Sequence, residues 1–504
     1  MDDVSVEPLW RRAGFFGALL WCTYAYFIPS PSWNPNSRFD LTLALVEQGV
    51  VHIDAYHDNT FDKAYYEGHH YSDKAPGVAL LAVPAYAAFQ ALWTAAGGAS
   101  PVVRVVGRDG VLGAHLAKGD GSDDVLLSPS FRWGQYVASI FTCGLAGACL
   151  GVMLMVTAAG HGRSVQDATA IAMSLALGTL VFPYSTSLYG HVPAAALAFC
   201  GFFLLRAKSR PHVATAFASG LAAAMAAACE WPAALLTAFI GVYTLTRFRR
   251  SKVCVAWAAG AVVPTMLVLA YNKVAFGSVF RLGYTHLESP EFSAGMASGF
   301  MGIAVPSPSR FVAVLFGRAR GLVYTAPILL VATWGFFRPK SALRNTFLLS
   351  IFATVSFLLL CAGYFMWWGG AAMGPRHVIS ALPFWCLALV WVWPSAASPT
   401  WTGHAVFLCL ALSVINMTLG TAVGLEAPMT SDVLFRYVYP LAVRGQFPYA
   451  PGASNIGRLL GLPGALSLLP LMLLWTTYIF WVWRLLPVTG GFSRKTKAKA
   501  STHE

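Results

Sequence analysis

A polar stretch, Ser32–Pro76, reads SWNPNSRFDLTLALVEQGVVHIDAYHDNTFDKAYYEGHHYSDKAP and separates two long apolar stretches. It contains seven of the 21 acidic residues of the chain and four of its 12 histidines. Around it the sequence is strongly apolar: 57% of the 504 residues are hydrophobic and 11% are charged. Soluble proteins carry about 25% charged residues. A polar segment between apolar ones therefore predicts a membrane protein with its chemistry at the membrane surface.

The apolar stretches indicate an all-α protein, a polytopic transmembrane helical bundle. Most are about 17–25 residues long, the length that crosses a bilayer as a helix, and they lack the alternation of barrel strands. We count about 12–13 spans and assign residues 1–486 to a single transmembrane domain. The predicted spans are 13–30, 75–95, 133–159, 167–188, 190–206, 213–229, 231–247, 253–272, 321–337, 345–367, 378–394, 402–420 and 464–486.

Lysine and arginine positions assign the loops to two sides of the membrane. Basic clusters predict the cytoplasmic side, and they lie at 206–210, 247–252, 338–344 and in a tail, 487–504, that we expect to be disordered. The extracytoplasmic loops are then 31–74, 272–320 and 421–460. The formal net charge of +13 agrees with this bias and with anionic lipid headgroups. Because the basic residues form no continuous face, we expect no nucleic-acid binding.

An odd number of spans conflicts with this assignment. Thirteen crossings from a cytoplasmic N-terminus end outside, whereas the basic tail indicates a cytoplasmic C-terminus. From the predicted span 167–188 onward, basic clusters alternate with the other loops as they should. Unless the N-terminus is misplaced, the error lies within 75–159, and we expect a partial or re-entrant segment in the loop Gly97–Arg132.

Asp40 is the first candidate for a catalytic carboxylate. It begins a polar stripe that predicts a short helix over 36–50, lying at the membrane interface. Ser37 followed three residues later by Asp40 fits a capping box with Asp in place of the usual Glu, so a helix cap is one interpretation of Asp40. The other is a general base or a substrate-positioning carboxylate.

The rest of this loop is rich in Asp, His and Lys. Such a cluster can hold a divalent cation, but no fixed ligand spacing is visible, so we assign no metal ligands. A solvated loop is the other interpretation. The residues are Asp54, His57, Asp58, Asp62, Lys63, His69, His70, Tyr71, Asp73 and Lys74.

Lys74 stands directly before Ala75-Pro76-Gly77, where the next apolar segment begins. A lysine beside a helix N-terminus makes a good anion or phosphate site. The other interpretation is a side chain that extends its ammonium group to the lipid headgroups.

The order of these elements resembles the first extracytoplasmic loop of the GT-C superfamily of glycosyltransferases. A first span is followed by a helix start at Arg38-Phe39, a turn at Gly49 and the segment GHHYSDKAPG, residues 68–77. Within the superfamily, it is similar to the protein O-mannosyltransferase and lipid A aminoarabinose transferase group (glycosyltransferase family 39-like). That group has a Lys-Pro-Pro motif at the head of the second span, and here Lys74 is followed by Ala and Pro.

The resemblance implies a sugar transfer from a polyprenyl phosphate on the outer side of the membrane, with inversion at the anomeric centre. It implies that Lys74 binds the lipid phosphate. We also assign Tyr71, three residues earlier, as a substrate-binding residue. The group's Asp-Glu pair is absent here, because Pro35 and Asn36 occupy its place. Asp40 is the nearest substitute, and we assign Asp40 and Asp73 as the catalytic carboxylates.

Two later turns supply further candidates for binding the substrate. His191 follows the end of a predicted span, where relatives of this group place another cavity residue; a histidine at a helix junction is the other interpretation. Arg376 and His377 end the glycine-rich turn 369–377, which follows two tryptophans. Glycines let the backbone approach a ligand, and arginine suits a phosphate; an interfacial turn with an anchoring arginine is the alternative.

These residues together predict a membrane glycosyltransferase that uses a polyprenyl-phosphate sugar as donor and a lipid, glycan or protein as acceptor. We expect the protein in a bacterial inner membrane, among membrane lipids as partners, and we assign no cofactor, with a divalent cation left open. The alternative is a polytopic transporter or lipid flippase without transferase activity. That class favours ionisable residues within the spans and symmetry between halves.

Overall fold

The computed structural model describes residues 9–106, 114–117, 124–206, 211–249, 252–338, 344–394, 400–449 and 452–484. Within these residues the chain is a bundle of helices, and its few short strands lie in loops. Six helices are long and apolar enough to cross a membrane, and three shorter apolar helices accompany them. The expected all-α helical bundle is confirmed, whereas six helices of the described chain, and not about 12–13, have the length and composition of a span. The predicted basic tail, 487–504, lies outside the described residues.

The first half of the chain builds the centre of the bundle. A π-helical turn, Ile140–Gly144, joins two of its helices into one continuous element. The helices are α1 (Leu9–Ala25), α2 (Trp33–Leu43), α3 (Gly77–Ala95), α4 (Pro129–Ser139), α5 (Leu145–Gly160), α6 (Val165–Ala176), α7 (Val181–Ser185), α8 (His191–Arg206), α9 (Val213–Cys229), α10 (Ala234–Phe248) and α11 (Lys252–Phe276).

The second half adds further helices, which range from four to 23 residues in length. They are α12 (Pro290–Met296), α13 (Pro308–Phe316), α14 (Leu322–Thr325), α15 (Ile328–Gly335), α16 (Arg344–Gly363), α17 (Leu382–Leu387), α18 (Leu389–Val392), α19 (Trp401–Val423), α20 (Tyr439–Val443), α21 (Ile456–Leu459) and α22 (Leu469–Arg484). The strands form three antiparallel sheets: β1 (Phe27–Ile28) with β7 (Ser454–Asn455), β2 (Lys63–Tyr66) with β3 (His69–Ser72), and β4 (Val103–Val106), β6 (Asp124–Leu127) and β5 (Ala114–Ala117) in that order.

Small residues let α9 and α11 pack backbone to backbone. A Cβ atom built on Gly220 would lie 1.8 Å from the carbonyl oxygen of Trp257, and one on Gly260 would lie 2.0 Å from that of Phe217. Side chains at either glycine would force the helices apart, so the close approach depends on their absence. This close packing holds α9 against α11.

The polar stretch covers one face of the bundle, which we call the loop face. The Arg38 side chain donates to the carbonyl oxygen of Cys229, the last residue of α9. Tyr71 packs on Phe276, the last residue of α11, with ring centroids 5.1 Å apart. The ends of α9 and α11 and the polar stretch therefore share this face.

Contacts place α3 along the loop face. Gly77, its first residue, lies against the backbone of Ala228 near the end of α9. Beyond its other end, the amide of Val102 donates to the Ser128 hydroxyl, 2.9 Å away, at the start of α4. Along that same helix, Tyr136 donates to the carbonyl oxygen of Ala25, the last residue of α1. Both ends of α3 thus lie at the face where α1 and α9 end.

This placement bears on the odd number of predicted spans. The described parts of 97–132 contain the three short strands β4, β5 and β6 and the start of α4, and no re-entrant helix. The helix predicted at 75–95 is present as α3, and its hydropathy of 1.5 makes it one of the six candidate spans. The contacts of both its ends with the loop face nevertheless predict that it does not cross, which would make the number of predicted spans even.

The loop helix differs from the predicted one in place and surroundings. It begins at Trp33 rather than at residue 36, and every residue from Asn34 to Leu43 is buried. It is therefore packed inside the protein and does not lie exposed at the interface, because α3 and β3 cover it. Ser37 makes no capping box; its hydroxyl lies 2.8 Å from that of Ser72.

A tight hairpin connects this helix to α3. Lys63 pairs with Ser72 at its base, and the turn residues Glu67 and Gly68 have φ of 49° and 89°, as the hairpin turns that match strand twist require. The base of the hairpin is thereby fixed directly before Asp73 and Lys74. Sequence reasoning treated this segment as a loop.

Candidate active site

Segments far apart in the sequence meet around one cavity on the loop face. They are α2, the residues before α3, the start of α8, the end of α9, the loop around α12 and the turn before α17. The cavity has a volume of about 80 Å³ and is lined by Asn34, Arg38, Asp62, Asp73, Lys74, His191, Glu230, Tyr284, Leu287, Phe292, Met296, Tyr364, Phe365, Met366, Arg376 and His377.

Lys74 is held between two carboxylates. Its Nζ lies 3.0 Å from Asp62 Oδ2 and 3.0 Å from Asp73 Oδ2. Burial alone would lower the pKa of Lys74, but the two carboxylates outweigh it, so the pKa is raised and the side chain stays charged. Burial raises the pKa of Asp73 to about 6, with Lys74 opposing the shift and Asp62 adding to it.

A buried ion pair forms another part of the cavity wall. Arg38 Nη2 lies 2.5 Å from Glu230 Oε1, and the other nitrogens of Arg38 donate to the carbonyl oxygens of Cys229 and Ala75 at 3.3 Å and to Asn34 Oδ1 at 3.1 Å. This arginine therefore joins α2, the end of α9 and the residue after Lys74. His191 Nδ1 lies 3.5 Å from the same Glu230 oxygen.

The glycine-rich turn brings Arg376 and His377 to the cavity. Gly369 and Gly370 have φ of 82° and 77°, a backbone conformation that residues with a side chain rarely adopt. The guanidinium of Arg376 lies over the Tyr189 ring, 5.2 Å from its centroid. The His377 ring packs edge-on against the ring of Tyr364, 4.8 Å away.

Three polar atoms that face this region have no hydrogen-bond partner among the described residues. They are Asp73 Oδ1, Arg376 Nε and His377 Nε2. Buried polar groups are nearly always paired, by protein or by bound molecules, and leaving one unpaired costs about 1–3 kcal/mol. One carboxylate oxygen, one cationic donor and one imidazole nitrogen, all on residues that line the same cavity, thus lack a hydrogen-bond partner within the described chain.

The outer wall of the cavity is apolar, and α12, which forms part of it, has no buried residue. The Tyr364 hydroxyl lies 3.6 Å from Met296 Sδ on α12, and Gly295 lies so close to the ring of Phe365 that a Cβ would meet it at 2.2 Å. Ligand pockets usually measure about 300–1,000 Å³, so a substrate larger than a few water molecules requires this wall to move.

Of the seven residues predicted from the sequence, the structure brings five together. Asp73, Lys74, His191, Arg376 and His377 all line the cavity. The other two, Asp40 and Tyr71, do not line it.

Asp40 and Tyr71 occupy buried positions beside the cavity residues. Asp40 Oδ1 accepts a hydrogen bond of 2.9 Å from Asn59 Nδ2, and burial raises the pKa of Asp40 well above its usual value. Tyr71 packs in a small apolar cluster with Ala64 and Phe276. Both side chains support the walls of the first loop.

Sequence reasoning did not assign a role to several charged residues of the cavity. Arg38, Asp62 and Glu230 line it, and each is paired there with an opposite charge. Glu230 carried a usable signal, because it is the sole carboxylate between Asp167 and Glu288 in the sequence. An isolated acidic residue in an apolar chain is rarely placed at random.

The cavity holds no cluster of metal-ligand spacing within the described chain. Its carboxylates Asp62 and Asp73 are engaged by Lys74. The group with such spacing consists of His52, Asp54 and His69, which lie outside the lining of the cavity.

Comparison with known proteins identifies no family. No family model matches the chain, and no curated protein proved similar to it. Any assignment of function therefore rests on the residues of the site and on the resemblance of the first loop.

Proposed function

We propose that this protein is a membrane glycosyltransferase of the GT-C kind, which moves a sugar from a polyprenyl-phosphate donor to a hydroxyl group of a lipid, glycan or protein acceptor. The observation that carries the proposal is the set of unpaired atoms, Asp73 Oδ1, Arg376 Nε and His377 Nε2, in a cavity that also holds Lys74 and Arg38. Such a cavity suits a ligand with one anionic group and one proton to give up.

The cations would bind the donor phosphate and stabilise it as it leaves. Lys74 supplies a point charge, and Arg376 supplies a planar group with a free donor that suits phosphate oxygens. Arg38 already donates to Glu230, to Asn34 and to two backbone carbonyl oxygens, so its role would be to hold Lys74 and the end of α9 in place.

Asp73 would act as the general base. Its Oδ1 has no partner, and a pKa of about 6 makes it a stronger base than an ordinary carboxylate while it stays ionised at neutral pH. Asp73 takes the proton of the acceptor hydroxyl, whose oxygen bonds to the anomeric carbon. The bond from that carbon to the phosphate oxygen breaks, and the polyprenyl phosphate departs with the electron pair.

The apolar outer wall would contact the donor's lipid part. Phe292 and Met296 on α12 and Phe365 and Met366 after α16 line this side of the cavity. A donor that is polar at its sugar phosphate and apolar along its chain matches a cavity with one charged and one apolar side. The mobile element in this scheme is α12, since none of its residues is buried.

The transporter alternative receives less support from the position of the charges. Transporters place ionisable groups near the middle of the membrane. Here Lys74 precedes α3, His191 begins α8 and Glu230 follows α9. All three stand at helix ends on one face.

Donor binding by variants of the two cations assigned to the phosphate tests the proposal. In nanodiscs, we expect Lys74→Ala and Arg376→Ala each to weaken binding of a polyprenyl-phosphate sugar by about 10–100-fold, because a charge-assisted hydrogen bond contributes about 1.5–3 kcal/mol. Lys273→Ala is the control, since Lys273 is also on the loop face and bonds the carbonyl oxygen of Gly277. Unchanged affinity in both cavity variants contradicts the proposal.

A further inference from the structure

A second group of ligand-type side chains lies beside the hairpin, outside the cavity. His52, Asp54 and His69 each offer one ligand atom, and these atoms lie within 4.8 Å of one another. Asp54 Oδ2 is 3.0 Å from His52 Nδ1 and 2.6 Å from His69 Nδ1. The two imidazole rings stack with centroids 4.6 Å apart. One carboxylate oxygen thus faces two imidazole nitrogens.

The carboxylate is oriented by the backbone of the hairpin. The amide of His70 donates to Asp54 Oδ1 at 2.6 Å, which leaves Oδ2 turned towards the two histidines. Hydrogen bonds of this kind orient the ligands of metal sites.

One of the imidazole nitrogens has no hydrogen-bond partner. His52 Nδ1 is buried and makes no hydrogen bond with any described residue, although it lies 3.0 Å from Asp54 Oδ2. The two atoms are therefore close together without forming a hydrogen bond. A cation between the two atoms would satisfy both.

We propose that His52, Asp54 and His69 bind a Zn²⁺ ion, with water in the fourth position. Two imidazoles and a carboxylate are ligands that Zn²⁺ prefers. In a tetrahedral site with bonds of about 2.0 Å, ligand atoms stand roughly 3.3 Å apart. The two distances from Asp54 Oδ2, 3.0 Å to His52 and 2.6 Å to His69, are shorter than this, and all three ligand atoms lie within 4.8 Å of one another, so small side-chain rotations would bring them to the tetrahedral separation.

A neighbouring histidine pair is a poorer site for a cation. His57 and His70 stack with centroids 3.7 Å apart, but the ammonium of Lys63 lies 3.1 Å from His57 Nδ1 and 3.5 Å from Glu288 Oε2. A positive charge already occupies that position, so the ion belongs with His52, Asp54 and His69.

The ion would clamp the segment before the hairpin to strand β3. His69 begins β3, and the strand leads directly to Asp73 and Lys74 at the cavity. Zinc would therefore stiffen the support of those two residues without touching the substrate. This proposal stands independently of the proposed transferase activity.

Metal titration of the full-length protein tests the site. Protein in nanodiscs is stripped with a chelator and titrated with ZnCl₂ by calorimetry, and with CoCl₂ by its visible absorption. We expect one strong Zn²⁺ site per chain and a tetrahedral Co²⁺ spectrum. His52→Ala and His69→Ala should each weaken Zn²⁺ binding at least about tenfold, and the rise in unfolding temperature on adding Zn²⁺ should disappear with them.

Two further variants make the result decisive. His404→Ala should bind Zn²⁺ like the wild type, because His404 is exposed and contacts the carbonyl oxygen of Thr400 instead. Asp54→Asn keeps the size of the side chain and should lose affinity even if a histidine variant folds poorly. Wild-type affinity in Asp54→Asn and His69→Ala, or no strong site in the wild-type protein, overturns the proposal.

Discussion

The single positive charge of Lys74 faces two carboxylates, Asp62 and Asp73. When all three side chains are ionised, the group therefore has a net negative charge. A phosphate arriving at Lys74 would add to that negative charge. Of the two carboxylates, Asp73 is the one that can become protonated, because burial has already raised its pKa to about 6. In the proposed reaction, taking up the acceptor proton would remove the charge of Asp73 and leave Lys74 to the departing phosphate.

A pH dependence follows from Asp73. Because its pKa is raised to about 6, the carboxylate is ionised above that pH and becomes protonated below it. As a general base it works only when ionised, so we expect kcat/KM for transfer to fall as the pH drops through about 6. Asp73→Asn should be slow at every pH and lack this inflection. An unchanged inflection in that variant would assign the titration to another group.

The ion pair of Arg38 and Glu230 should act on stability. Arg38 is 2% exposed and its guanidinium lies 2.5 Å from Glu230. Removing one member of a buried pair leaves a charge uncompensated, at a cost of about 3–5 kcal/mol. We expect Glu230→Ala to lower the unfolding temperature strongly, and the double variant Arg38→Met, Glu230→Ala to recover part of the loss. Equal unfolding temperatures for Glu230→Ala and wild type would disprove the structural role of this pair.

Lys74 and Arg376 could be selected from the sequence, because each is a charged residue at a turn directly before an apolar segment. The sequence was not sufficient for Glu230, whose partner Arg38 is 192 residues away. Only the folded chain shows that these two meet. Asp40 is a residue whose surroundings the sequence could not predict. Helical periodicity places it on one face of a helix, but it does not show that Asn59 and the first loop cover that face.

At the scale of the elements, α3 shows how far composition alone can predict a membrane crossing. Its length and apolar character are those of a span, and the sequence predicted a crossing there. Contacts at both of its ends with residues of the loop face predict that it does not cross. Hydropathy describes the surroundings of a helix but not its direction, so whether this helix crosses can be predicted only from packing.

Labelling in intact cells tests the position of α3. Ser100 follows α3 and is exposed, and we expect Ser100→Cys to react with a membrane-impermeant maleimide from the same side as a cysteine in the loop 31–74. His212→Cys, at the exposed start of α9 on the opposite face, is the control and should react only after permeabilisation. Protection of Ser100→Cys in intact cells would restore the crossing.

At the scale of the whole molecule, the cavity exists only in the folded bundle. Lys74 comes from the first loop, Glu230 from the end of α9 and Arg376 from the turn before α17. The glycines that bring α9 against α11 and the hairpin that ends before Asp73 set the distances among them. The bundle therefore acts as the frame of one charged cavity, closed on its outer side by α12.

The most direct test is release of polyprenyl phosphate from a panel of purified polyprenyl-phosphate sugars in nanodiscs, measured with wild type, Asp73→Asn and Asp40→Asn. We expect wild type and Asp40→Asn to transfer at similar rates, because Asp40 lies outside the cavity lining. Asp73→Asn should be slower by about 10²–10⁴-fold, the usual contribution of a general base. Equal rates in wild type and Asp73→Asn, or no release from any donor, would contradict the account.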